Sequence, residues 1–323
     1  MKRYKLNIRL LAGIAALVML SGCAATPMTD QLTASPPPGV ALSAELVDAP
    51  FFAQTQYFCG PAALATALNT TGLATTPDAL AASIYTPGRD GTLQSEILTG
   101  SRRQGRLALP VRTMRDAFTN ISDGRPVLIL QNLALELVPQ WHYAVLVGYD
   151  LAAETVTLRS GTTRRHVTAM TTFEHTWRRA GYWAVVMIKP DGPVPQTTSI
   201  SDWLNETYGL ERAGQEPAAL TAFATAAQQW PDAATPLISS ANILIGKNRL
   251  QDATTDLQEA VRRQPDNAVA LNNLAHVLML RGRLDEAEVY AQKAVEYGGD
   301  TQSTATETLA AIHPHHGPPP ARG

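Results

Sequence analysis

FFAQTQYFCGPAALATALNTT, residues 51–71, is the stretch on which the fold turns. Cys59 stands directly before Gly60, Pro61 and a run of small apolar residues. Ala62, Ala63, Leu64, Ala67 and Leu68 recur at helical spacing, and Pro61 suits a first-turn position whose missing N–H needs no partner. The stretch therefore predicts a buried helix that begins at the cysteine. A thiol in that position lies at the positive end of the helix dipole, which favours the thiolate.

Upstream lies a targeting segment. Residues 1–9 carry Lys2, Arg3, Lys5 and Arg9 with no acid, and residues 10–20 form an uncharged apolar run too short to span a bilayer comfortably. The run ends in Leu20-Ser21-Gly22-Cys23, which resembles the bacterial lipobox. That resemblance implies acylation of Cys23, removal of 1–23 as a lipoprotein signal peptide, and a lipid-anchored protein of the cell envelope. Ala24 in the next position implies the outer membrane, facing the periplasm. Of the two cysteines in the chain, this leaves Cys59 as the free thiol. An exported thiol without a disulfide partner needs a reason to persist among periplasmic oxidants. Residues 24–44, with Pro27, Pro36, Pro37, Pro38 and Gly39, read as a flexible stalk.

Downstream of Cys59 the pattern predicts three further helices. Thr76 caps one that begins at Pro77 and runs to about Tyr85, Thr92 one that ends near Gly105, and Thr113 one that ends before Gly124. Strands follow at 126–131, 141–149, 155–159, 166–170 and 182–188, with a short helix capped by Thr172 before the last. The turn at 150–154 makes 141–149 and 155–159 an antiparallel hairpin. Helices followed by an antiparallel sheet define an α+β domain, expected over 45–190 and closed by a Pro- and Gly-bearing linker at 191–199.

The last third has a different texture. Pro231-Asp232 and Pro265-Asp266 lie 34 residues apart. At that period Trp203, Leu237 and Leu271 align, as do Leu210, Leu244 and Leu278. Gly214, Asn248 and Gly282 fall where a helical hairpin turns, and Ala219, Ala253 and Ala287 where its helices meet. This resembles the tetratricopeptide repeat, in about three copies over 200–301, and implies an all-α domain that holds a substrate or a protein partner. The first copy departs from the motif at Glu206 and Thr207. Residues 302–323, with His313, His315 and His316, read as a disordered tail.

A net charge of −2 gives no electrostatic case for nucleic acid, and neither a metal nor a cofactor is expected. A cysteine hydrolase instead needs a histidine, a group to orient it, and donors for an oxyanion. His276 falls in the repeats. His175 lies beside Glu174 and two arginines in a segment that reads as solvated, and His166 lies on a polar strand. His142 opens the most apolar strand, WHYAVLVGYD, where a polar ring needs a partner. His142 is therefore the candidate base.

Together, Gln-x4-CGPAALA (54–65) and HYAVLVGYD (142–150) resemble the papain-like cysteine peptidases of family thirty-nine, which include domains that remove leaders from bacteriocin precursors. The stand-alone exported members with appended repeats share the layout of this chain. The resemblance implies Cys59 as nucleophile, His142 as general base and acid, and Gln54 as the oxyanion-hole amide, one residue nearer the cysteine than is usual. The family's orienting aspartate is absent, since its place reads Leu158-Arg159-Ser160-Gly161. The hairpin brings Ser160 beside His142, and Asn132, ending the preceding strand, is a second substitute. The expected activity is cleavage of a peptide or protein substrate. The alternatives are a peptidase fold kept for binding and assembly, or amide hydrolysis or acyl transfer on cell-wall peptides.

Overall fold

The computed structural model describes residues 25–35, 40–53, 58–84 and 91–312. The signal segment with Cys23, Gln54, and the tail from 313 onward lie outside the described residues. The chain forms two compact units, one of Met1–Thr92 with Val111–Val186 and the other of Leu93–Pro110 with Met187–Gly323.

The first unit is α+β. Its helices are α1 (Pro27–Ala34), α2 (Cys59–Asn69), α3 (Pro77–Ile84), α5 (Met114–Ser122) and α6 (Met170–Arg178). Its strands are β1 (Ser43–Glu45), β3 (Val127–Asn132), β4 (Trp141–Asp150), β5 (Thr155–Ser160), β6 (Thr163–Ala169) and β7 (Ala184–Ile188), the last of which crosses the unit boundary. The order is β7-β3-β4-β5-β6, with β1 also pairing with β4, and all of these pairings are antiparallel. β3 and β7 are buried at every position, and Val127 to Leu130 and Ala184 to Ile188 read as continuous apolar runs rather than alternating ones. Helix α2 starts at Cys59, and Gly60 through Leu68 are all buried. Its alanines let it lie close against β4 and β3.

Residues 24–44 are not a stalk throughout. Residues 27–34 form α1, which packs against α5 and α6 and buries Thr29 and Leu32. No side chain at its N-cap, Thr26, caps it. Its open amides are satisfied from a distance: Glu174 of α6 accepts from Met28 N–H at 3.0 Å, Thr29 N–H at 2.7 Å and Thr29 Oγ1 at 2.6 Å. A carboxylate at a helix N-terminus meets both the unpaired donors and the positive end of the dipole. The solvated reading of the Glu174 segment fails for the same reason, since Glu174 is 0% exposed.

Among the described residues, the second unit contains α4 (Gln94–Arg103), β2 (Leu107–Pro110) and seven α-helices from residue 200 onward. Helix α4 is capped at Leu93 rather than Thr92, through the Glu96 carboxylate on the Leu93 N–H. Three helical hairpins follow: α7 (Ile200–Arg212) with α8 (Glu216–Gln229), α9 (Thr235–Gly246) with α10 (Leu250–Arg263), and α11 (Ala268–Leu280) with α12 (Leu284–Tyr297). The aligned leucines and alanines form their buried core. The disordered tail gives way to a seventh helix, α13 (Gln302–Ile312), whose Ala305 and Ile312 cover the end of the stack. A terminal helix that shields the last repeat is what a stacked solenoid requires.

The departure at Glu206 also has a cause. Its carboxylate takes Arg102 Nη2 at 2.6 Å and Nε at 3.1 Å, and accepts from Ala108 N–H at 3.2 Å. The first repeat thus gives up an apolar position to hold α4 and β2.

Candidate active site

Cys59 is the first residue of α2 and is half-buried. Its position leaves its own N–H without an intrahelical acceptor, as at any helix start. Gly60 is needed for close packing, because a Cβ there would stand 2.5 Å from Thr92 Cβ and Oγ1.

His142 lies one residue into β4, between exposed Trp141 and buried Tyr143. Its register partner on β3 is Gln131, and β5 runs back along the other side of β4, with Val145 opposite Arg159. That return brings Ser160 to the His142 ring, with 2.8 Å between Nε2 and Oγ. The serine at the family's aspartate position therefore bonds the imidazole. With Nε2 engaged, Nδ1 is the ring nitrogen left to exchange a proton with a thiol.

Asn132 does not share this role. Its register partner is Trp141, so its side chain projects from the opposite face of the sheet. Its amide is spent on the loop that follows: Oδ1 accepts from Ala134 N–H at 3.1 Å and Gln140 N–H at 2.9 Å, and Nδ2 reaches Leu135 O at 3.4 Å.

Arg159 has a role that the sequence reading missed. It is 3% exposed and donates to the carbonyls of Leu46, Val47, Ala49 and Arg164 at 2.7–3.3 Å. It fixes the chain segment that leads toward Cys59 while its neighbour, Ser160, holds His142. An arginine in a short strand paired beside the most apolar one was the available signal, because a buried guanidinium must find acceptors.

Burial holds the His142 pKa below its ordinary 6.5, and electrostatic interaction with nearby His166 pushes in the same direction. The ring is therefore neutral at pH 7 and able to take a proton. The same shift costs stability as pH falls from 6.5 through the lower folded value, because the unfolded chain binds the proton first. An NMR titration of the imidazole is expected to give a midpoint below 6.5. His166→Gln should move it upward without restoring the full value, because burial is the larger cause; an unchanged midpoint in that variant would remove His166 from the account.

The fold and site define a papain-like α+β domain followed by an all-α repeat domain. Residues 46–185 match the Peptidase_C39 like family, and residues 238–302 match the tetratricopeptide repeat. Among curated proteins, none matches the chain. Among solved structures, a C39-like protein from Bacillus anthracis is 19% identical over 46% of this chain and 98% of its own, with a TM-score of 0.39. The first tetratricopeptide domain of Spaghetti (RPAP3), bound to the HSP90 peptide SRMEEVD, is 15% identical over 36% of this chain and 90% of its own, with a TM-score of 0.33. The type III secretion translocator chaperone SycD of Yersinia enterocolitica is 14% identical over 36% and 96%, with a TM-score of 0.34.

Proposed function

We propose that the protein is a lipid-anchored cysteine peptidase of the cell envelope, acylated at Cys23, whose repeats bind a substrate or partner protein. The observation that carries the reading is the His142–Ser160 contact on the strand against which the Cys59 helix packs. His142 takes the Cys59 thiol proton, the thiolate attacks a peptide carbonyl, and the C–N bond breaks as His142 passes that proton to the leaving amine, which leaves a thioester on Cys59. His142 then takes a proton from water, which releases the acid product. The Cys59 N–H and the Gln54 amide receive the oxyanion. Ser160 fixes the ring, although a hydroxyl stabilises imidazolium less than the family's carboxylate would.

That substitution favours a second reading, a domain kept for binding and assembly. Thiol chemistry separates the two without knowledge of the substrate. Iodoacetamide at pH 6 is expected to alkylate Cys59 at least about tenfold faster than a free cysteine, because a thiolate reacts and a thiol does not. His142→Ala should return the rate to that of the free thiol. A slow wild-type rate would sink the peptidase reading. Hydrolysis of peptidoglycan fragments but not of proteins would redirect it to the cell wall.

A further inference from the structure

Between β3 and β4 the chain exposes Leu133, Leu135, Leu137, Val138 and Trp141, with Leu137 95% and Trp141 54% exposed. Glu136 is the only charged residue from 133 to 141. The loop is nevertheless built. Leu133 N–H bonds Gln140 O at 2.9 Å, Leu135 and Val138 form a bridge, and the buried Asn132 amide ties three of the loop's backbone groups. An ordered loop that holds large apolar side chains in water forgoes the free energy of burying them, unless something covers them.

The base of the loop and the backbone at Ala25 are held by consecutive residues at the end of α6. Asn132 O accepts from Arg179 Nε at 3.1 Å and Nη2 at 3.0 Å. The adjacent Arg178 donates from Nη1 to Ala25 O at 2.7 Å. Ala25 follows Cys23 by two residues, roughly 7 Å of extended chain. Since α1 is docked, no long stalk separates an acyl group on Cys23 from Arg178, whose neighbour Arg179 holds the loop's base.

We infer that the 133–141 loop is a membrane-docking element, whose leucines, valine and tryptophan enter the lipid bilayer beside the acylated N-terminus. The composition fits, because aliphatic side chains partition into the acyl boundary and tryptophan prefers the headgroup level. Arg178 and Arg179 match anionic headgroups. A lipid chain gains a firm hold on a membrane when a second contact adds to it, and the loop supplies that contact. His142 follows Trp141 directly, but its side chain projects from the opposite face of the sheet, so membrane contact through Trp141 does not bury the candidate base.

This inference rests on the lipid-anchor reading of Cys23, and the test reads the two separately. The full chain, purified from membranes, is reconstituted into vesicles of phosphatidylcholine and phosphatidylglycerol containing dibrominated phosphatidylcholine. Acylation is read from the mass of the N-terminal peptide. Brominated lipid is expected to quench a component of the tryptophan emission that is missing in Trp141→Phe and reduced at least twofold in Leu137→Ser. Both positions are exposed, so the variants keep the fold, which circular dichroism checks. Identical quenching of wild type and Trp141→Phe, with Trp141 open to aqueous iodide in vesicles as in detergent, would overturn the proposal. Acylated protein with that result sinks the loop and leaves the anchor. Unacylated protein whose Trp141 is still quenched supports the loop and sinks the anchor. Protection of Trp141 from both quenchers would mean that a protein covers the loop, and would likewise overturn it.

Discussion

Cys59→Ser is expected to lower kcat/KM for peptide hydrolysis by about a thousandfold or more, the usual cost of removing a covalent nucleophile. The change is one atom at a half-buried helix start, so it opens no cavity and should leave the melting temperature nearly unchanged. Its effect is chemical: a serine hydroxyl is far harder to ionise than a thiol, even at a helix N-terminus. His142→Ala should cost nearly as much, and the double variant little more than either alone, because nucleophile and base act as a unit. Additive losses would mean that the two residues do not work on the same step. Activity undiminished in Cys59→Ser would place the nucleophile elsewhere and sink the mechanism.

Glu174→Ala carries the second large effect, on structure rather than chemistry. The carboxylate is fully buried and receives three hydrogen bonds from α1. Bonds to a charged acceptor contribute about 1.5–3 kcal/mol each, and truncation would leave the buried Thr29 amide and the partly buried Met28 amide unpaired. The chain has an escape, because an eight-residue helix can undock and rehydrate those amides. The loss is therefore capped near the free energy of undocking α1, about 2–4 kcal/mol. Hydrogen exchange should show it directly, with Met28 and Thr29 amides losing protection while β3 and β4 keep theirs. Retained protection at Met28 and Thr29 would show that Glu174 is not what holds the helix.

The contrast between these residues also explains what the sequence disclosed. The helix that starts at Cys59 was legible because a glycine, a proline and an alanine run follow the thiol within a dozen positions. Ser160 could be placed because antiparallel hairpins obey simple arithmetic from the turn at 150–154. The repeats were legible because a period of 34 leaves aligned leucines and alanines. Helix α1 was hidden, since proline and polar residues there look like a tether, and the group that caps it is 145 positions away. Asn132 was misassigned for a related reason. Its place beside the histidine strand was right, but alternation sends its side chain to the other face, where loop amides claim it. Helix α13 has too weak an apolar pattern to declare itself apart from the repeat it covers.

Glu206 has a wider bearing. Since Leu93–Pro110 belongs with the repeats, the polypeptide passes between the two units three times, near residues 92, 110 and 186. A cut at the proline-rich segment after β7 looks clean on paper, yet a fragment ending there keeps Arg102 and Ala108 without the carboxylate that satisfies them. The two halves are therefore not interchangeable cassettes.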